Sequence, residues 1–450
     1  MNIKASMLYA QRLLFPKSGR NSTAGKSLLG AVFSIGLSLV PLIVVLAVSD
    51  GMIEGITSRI IELSSYHMQV NLYASLMEGE ERDYYSTSMA IEELAQKVSA
   101  VPGVVSAYPE RQGIGLAAGA KGRTGATIRA VPEDIFAEGS SFSKLIKAKS
   151  GTLSFSTEKS AIIGEAIATT LDLQPGDTIR LVTMRTGATG NVIPKITPFT
   201  VDAVVSSGYQ ELDALWVFIP FDTGFSLLEG SLSSVLIGIT TDNAFSESLW
   251  ETATAVEQII PPGSRVRLWN ELNRSQFENF ASTRMMLIFI MLLIVLVASV
   301  NISSALVMLA MERRKEIAIL KSIGATSGGI VTAFLMTGLC TGAMGVLIGL
   351  PLGLLCAVNI NGILTWVEQI LNILLHFWYN LKGVFVITTG DFIPVHLLDP
   401  TYYLEEIPVV LPFNSVFVIV MGTLILSVVV SALPSIKAGS EKPLDTLRKI

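Results

Sequence analysis

The sequence predicts an α-helical membrane protein: four transmembrane helices, with a large α+β extracytoplasmic domain between the first two. Three observations carry this. Half of the 450 residues are hydrophobic, 15% are charged and mean hydropathy is +0.56, too apolar for an ordinary soluble protein. Four stretches carry no charge over a spanning length, which takes about 20 residues. Basic residues cluster at the ends of these stretches, whereas the long segment after the first is acidic.

The spans are 27–49, 285–311, 330–357 and 412–434. Residues 1–26, 312–329 and 435–450 together hold 13 Lys and Arg against four acids. Residues 50–284 hold 18 against 28, and residues 358–411 hold one against five. The positive-inside rule then makes 1–26, 312–329 and the tail 435–450 cytoplasmic, and 50–284 and the loop 358–411 external. Ala47-Val48-Ser49 has cleavage-like small residues, but the apolar run exceeds the ~7–15 residues of a signal core and is read as a retained anchor. Cys340 and Cys356 are separated by about 24 Å along one helix, so the outer domain is expected to have no disulfide. His67, His376 and His396 show no metal spacing, and no metal is expected.

Within 50–284, "DGMIEGITSRIIELSS" continues the first span as a stalk helix, and "HMQVNLY" alternates as a strand. "MAIEELAQKVSAV" reads as an amphipathic helix, "GVVSAYPERQGIGLAAG" as a strand pair and "ATIRAVPED" as a strand and turn. "SAIIGEAIATTLDLQPGDTIRLVTM" reads as a helix, a Pro-Gly-Asp turn and a strand. Three short strands follow, at "FTVDAVVSSG", "ALWVFIP" and "SSVLIGITT", then a helix at "AFSESLWETATAVEQII". "WNELNRSQFENFAS" returns as a second stalk, and the Gly-rich hairpin Met184 to Pro198 is expected to protrude.

"GRNSTAGKS" (19–27) resembles a phosphate-binding loop, but five residues separate its glycines where the pattern needs four, and a membrane span follows. It is read as a basic cytoplasmic segment. No Ser-His-Asp or Cys-His set can be assembled, so the chain is read as not an enzyme. The span cores hold no Asp, Glu, Lys, Arg or His, which argues against ion coupling and for an apolar cargo. Gly338, Gly342, Gly345, Gly349 and Gly353 form a small-residue face in the third span, suited to close helix packing.

"MERRKEIAILKSIGATSGGI" joins spans two and three, with Ile317, Leu320 and Ile323 as an apolar edge. Composition alone fits a headgroup-bound loop or a helix docked into a partner equally well. Here "ERRKEIAILKSIGAT" resembles the coupling segment of four-span ABC permeases of the MacB/FtsX/LolC type, and "PSIKAGSEKPLDTLRKI" resembles their C-terminal signature. "VLAVSDGMIEGITSRI", "SAIIGEAIATTLDLQPGDTIRL", "SSGYQELDALWVFIP", "RLWNELNRSQF" and "TYYLEEIPV" narrow the resemblance to lipoprotein-releasing permeases of the LolC/LolE type.

That resemblance implies a bacterial inner-membrane protein with a periplasmic domain. Two permease chains, as homo- or heterodimer, would bind two copies of a separate ATPase that holds ATP and Mg. Mature lipoproteins would be extracted from the membrane and passed to a periplasmic carrier. Glu312, Arg313, Arg314, Glu316, Leu320, Gly324 and Ala325 would couple to the ATPase. Leu42, Val45, Met52, Ile53, Phe277, Phe280, Leu287 and Phe289, chosen by position and apolarity, would line the lipoprotein cavity. Arg185, Asn191, Ile193 and Pro194 would contact the carrier, by a LolC-like hook or a plainer LolE-like loop. An FtsX-like mechanotransmitter acting on a periplasmic hydrolase and a MacB-like drug or peptide exporter remain as alternatives.

Overall fold

The computed structural model describes residues 23–73, 84–186, 192–228, 233–383, 395, 408–410 and 413–440. In chain order the helices used below are α1 (Thr23–Arg59), α2 (Ser88–Ser99), α3 (Glu165–Leu171), α4 (Phe221–Leu227), α5 (Ser248–Glu257), α6 (Arg274–Glu312), α7 (Arg314–Ser322), α8 (Ser327–Val358), α9 (Ile360–Gly383) and α10 (Phe413–Ser440). The strands are β1 (Met68–Leu72), β2 (Val104–Ala118), β3 (Arg123–Val131), β4 (Lys147–Gly151), β5 (Ser160–Gly164), β6 (Thr178–Thr186), β7 (Val192–Ser206), β8 (Trp216–Pro220), β9 (Ser233–Thr241) and β10 (Ser264–Leu268). The chain divides into two compact units. One comprises residues 1–52, 280–395 and 408–450, the other residues 53–279 and 396–407.

The first unit is helical. α1, α6, α8 and α10 are each long and apolar enough to cross a membrane. α1 shows why such helices assemble: Leu28, Ile35, Leu39, Leu42 and Leu46 recur at helical spacing and are buried, while Phe33 and Leu37 stay exposed. The glycine face of α8 serves two neighbours. A Cβ at Gly338 or Gly342 would strike Ser431 or Ser427 of α10, and one at Gly349 would lie 2.5 Å from the Gly36 carbonyl oxygen of α1. Ser427 and Ser431 return their hydroxyls to the carbonyls of Thr423 and Ser427, so small polar residues pack against glycine without an unpaired donor. α8 is capped by Thr326, whose hydroxyl accepts from the Gly329 amide at 3.2 Å. Where the sequence suggested a loop over 358–411, the 24-residue helix α9 occupies its first part.

The second unit is α+β. Its strands run in the order β10-β1-β9-β2-β3-β8-β5-β7-β4, and β6 pairs both β2 and β7, so β2, β3, β8, β5, β7 and β6 close into a ring. α2 buries Ile91, Leu94, Ala95 and Val98 in the same core as Ile128, Val217 and Ile239. Two sequence readings are corrected. "SAIIG" is the fully buried strand β5, paired with β7 and β8, and the helix starts only at Glu165. Residues 104–118 form one strand, not a hairpin, because β9 and β3 claim its two edges. Within it Gly113 and Gly115 let Leu228 and the Val182 carbonyl approach to within 2.7 Å of where a Cβ would stand. β4 and β10 had no strong sequence signal.

The first helix ends inside this unit in a π-helical turn, Ile60–Ser65. The unit fastens that end at several points. Arg59 Nε donates to the Ser207 carbonyl at 2.7 Å, and Arg129 Nη1 donates to the Leu63 carbonyl at 2.6 Å. Arg129 also donates to both Glu110 oxygens, which accept a third bond from Tyr66 Oη at 2.7 Å. Its guanidinium lies over the Trp216, Phe218 and Phe142 rings at 4.7, 5.3 and 5.4 Å. A buried charge pair persists only when satisfied this fully.

Candidate functional site

Three features stand out. The first is a groove of about 540 Å³ in the helical unit. α1 supplies Leu42 and Leu46, α6 supplies Ile288, Met291, Leu292 and Val295, and α10 supplies Val418, Ile419, Leu426 and Val429 among others. Among the described residues no charged side chain lines it, and its few polar groups include Asn414 and Ser415 at the start of α10. Beside that end, Arg284 on α6 pairs with Asp50 on α1 at 3.1 Å, and its Nη2 donates to Ser415 Oγ at 3.2 Å. One cation thus ties three helices together at one end of an otherwise apolar wall. The volume suits an apolar ligand, since ligand pockets span about 300–1,000 Å³.

Of the residues chosen from sequence for a cavity, Leu42 lines this groove. Val45 and Phe289 are exposed elsewhere, and Leu287 packs against the helical core. Met52 and Phe280 are half-buried and outside its lining. Ile53 and Phe277 belong to the other unit, where Phe277 stacks edge-on against Trp269 at 5.0 Å. Of the six that lie in the helical unit, Leu42 alone lines this groove. Sequence reasoning missed α10 as a wall and Arg284 as its tie. The charge of Arg284, ahead of an uncharged span, was the available signal.

The second feature is the connection α7. α6 stops at Glu312, Arg313 leaves the helical region, and α7 runs to Ser322. Arg313 Nη1 donates to Glu316 Oε1 at 2.5 Å, drawing the first turn closed. Lys321 Nζ donates to the Gly439 carbonyl of α10. Gly324 has φ +104°, a conformation that favours glycine, and Ala325 N donates to the Leu320 carbonyl at 2.9 Å. The apolar edge expected from sequence is divided. Ile317 is buried in the helical core beside Ala318, and Leu320 is half-buried. Met311, Ile319 and Ile323 are 73, 50 and 80% exposed, so the outward apolar face is carried by these three. Glu312, Arg314 and Glu316 are also exposed.

The third feature is the β6–β7 hairpin, paired from Thr178–Thr200 to Thr186–Val192. Toward its far end Leu181 and Thr183 are still buried, whereas Met184, Ile193, Pro194 and Ile196 are exposed. In the backbone register of the ladder Arg185 is paired with Ile193. Asn191 lies outside the described residues, as do residues 1–22, most of "TYYLEEIPV" and the tail from Glu441. No group of His, Cys, Asp and Glu suited to a metal occurs among the described residues.

Comparison with known proteins gives two family matches. A MacB-like periplasmic core domain covers residues 28–259, half of the chain, and an FtsX-like permease C-terminal region covers residues 288–443. The "lipoprotein-releasing system transmembrane protein LolC" of Neisseria meningitidis is 27% identical over 64% of each chain. The protein of that name in Xylella fastidiosa is 21% identical over 93% of each. The corresponding LolE of Haemophilus influenzae is 24% identical over 65% of each. The chain thus spans just under two thirds of the Neisseria and Haemophilus relatives and nearly all of the Xylella protein.

Proposed function

Because this chain belongs to the MacB/FtsX-like permeases, and within them to the LolC/LolE type, we propose that it is the permease subunit of an ABC transporter that extracts mature lipoproteins from the inner membrane. The observation that carries the reading furthest is the uncharged groove formed by α1, α6 and α10. Acyl chains resist extraction because each buried CH₂ is worth about 0.8 kcal/mol, or about 12 kcal/mol for a chain of 15. A permease lowers that cost by offering the chains a second apolar surface before they leave lipid. The groove wall is such a surface, and the Arg284–Asp50–Ser415 cluster marks a polar end where the lipoprotein's first residues would sit.

The work is assigned to a partner ATPase, two copies for two permease chains, which would hold ATP and Mg. Met311, Ile319 and Ile323, with Glu316 beside them, form the surface that would seat in it. Ile317 and the Lys321–Gly439 bond root that surface in α8 and α10. The distribution of Lys and Arg supports a cytoplasmic position for α7 and a periplasmic one for residues 53–279. On that side the exposed Ile193 and Ile196 of the hairpin suit capture of a soluble carrier. A mechanical transmitter of the FtsX kind would need no such groove.

The reading is tested by placing a photoreactive amino acid at Val418 or Leu292 in the groove, and at Phe33 on the exposed face of α1. After reconstitution with ATPase and a radiolabelled triacylated lipoprotein, cross-links from the groove and not from Phe33 support acyl-chain binding there. Equal labelling from all three would mean bulk-lipid contact and defeat the assignment.

A further inference from the structure

α9 carries a feature that the transport reading leaves unused. Trp366, Ile370, Ile373, Leu374, Phe377 and Trp378 are all between 43 and 70% exposed. At about 100° per residue they share one arc of roughly 140°. Asn361, Thr365, Glu368, Gln369, Asn372 and His376 fall on the opposite side. The chain itself returns to that polar side: Asn372 Oδ1 accepts from the Val395 amide at 2.9 Å, and its Nδ2 donates to the Val395 carbonyl at 3.1 Å. A face this apolar is not left in water without a cover.

We propose that α9 is a membrane-interface anchor, its apolar face set among phospholipid acyl chains at the outer boundary of the bilayer. Continuity identifies the cover. One residue, Asn359, separates α9 from α8, and Leu352, Leu355 and Val358 on the last turns of α8 are themselves 48, 61 and 60% exposed. The lipid-facing surface of a spanning helix therefore runs to within two residues of α9, which places the start of α9 at the edge of the membrane. The apolar arc holds no charge or hydrogen-bonding group beyond the two indole N–H groups, so it offers a protein partner nothing to fix register. Tryptophan near each end of the arc suits a position between acyl chains and headgroups. A second copy of this chain is the competing cover, and the test separates the two.

The full chain is reconstituted in phosphatidylcholine vesicles with brominated acyl chains, and tryptophan quenching is compared between wild type and W366F/W378F. The anchor predicts that the double variant loses at least half of the quenching. A nitroxide at Ile373, in a background without Cys340 and Cys356, should collide more with oxygen than with a water-soluble nickel chelate, and one at Gln369 should do the reverse. Unchanged quenching, nickel access at Ile373, or dipolar coupling between Ile373 labels of two copies would each overturn the proposal. None of these readouts depends on lipoprotein release, so failure here would leave the transport reading untouched.

Discussion

Replacing Arg129 by Leu removes the cation from the most completely buried polar cluster of the α+β unit. The Arg129 and Glu110 side chains are 1% and 0% exposed. Burial alone would lower the Arg129 pKa, but the charge and hydrogen bonds of Glu110 outweigh it and hold the guanidinium above its ordinary value. In the variant, Glu110 keeps bonds from Tyr66 and Gln112 but loses its counter-charge, and the Leu63 carbonyl loses a donor. Stranding one partner of a buried pair costs about 3–5 kcal/mol. Removing both, as in R129L/E110L, spares the uncompensated charge; the Leu63 carbonyl is unpaired in either variant, so the added cost is that of the Tyr66 hydroxyl, about 1–3 kcal/mol. The double variant is therefore expected to be about 2 kcal/mol more stable than R129L. Amide exchange of β3 and β8 in the detergent-solubilised chain measures this, because both strands flank the cluster. R274A, which breaks the exposed Arg274–Glu278 pair, serves as control and should change little. A loss below about 1 kcal/mol for R129L, or a double variant no better than the single, would refute the reasoning.

Gly349→Leu should separate α8 from α1, because even a Cβ there meets the Gly36 carbonyl; a loss of at least ~1–3 kcal/mol in detergent unfolding is expected, and none in Leu355→Ala on the exposed side. Ile319→Asp and Ile323→Asp should leave melting of the permease unchanged while reducing co-purification of the ATPase at least tenfold, whereas Ile317→Asp should lower the melting temperature itself. Burial, then the charges of Asp222 and Asp134, raise the Glu92 carboxyl above its ordinary value of 4.5. The folded state then binds the proton more tightly than the unfolded one. Stability from this group is thus gained as pH falls through its raised value toward 4.5 and lost on returning to neutrality. The melting temperature of E92Q should accordingly rise less than that of wild type between pH 7 and pH 5.

The long apolar helices and the α+β domain were legible because uncharged runs and periodic strands survive in any tertiary context. What faces what was not. The four helices long and apolar enough to cross a membrane are apolar all round over their uncharged runs, so no period in residues 412–434 marks α10 as a groove wall. In α7, helical spacing groups Ile317 with Leu320 and Ile323, but packing against α8 and α10 turns Ile317 inward and leaves Ile319 and Ile323 outside. "SAIIGEAIATTL" merges a buried strand with the helix that follows it, since both are apolar and short. α9 was passed over because Glu368 and His376 interrupt its hydropathy, although they sit on its polar side. Arg129 and Glu110 went unremarked because burial of a pair leaves no trace in one sequence.

The central claim is ATP-driven lipoprotein extraction through this permease. The direct measurement is release of a triacylated lipoprotein from proteoliposomes holding the chain and its ATPase, with and without a periplasmic carrier, for wild type and for Glu316→Lys. Release that needs ATP and carrier, and that is abolished in the variant, is the predicted result. ATP turnover in the wild type with no release under any carrier would contradict the account.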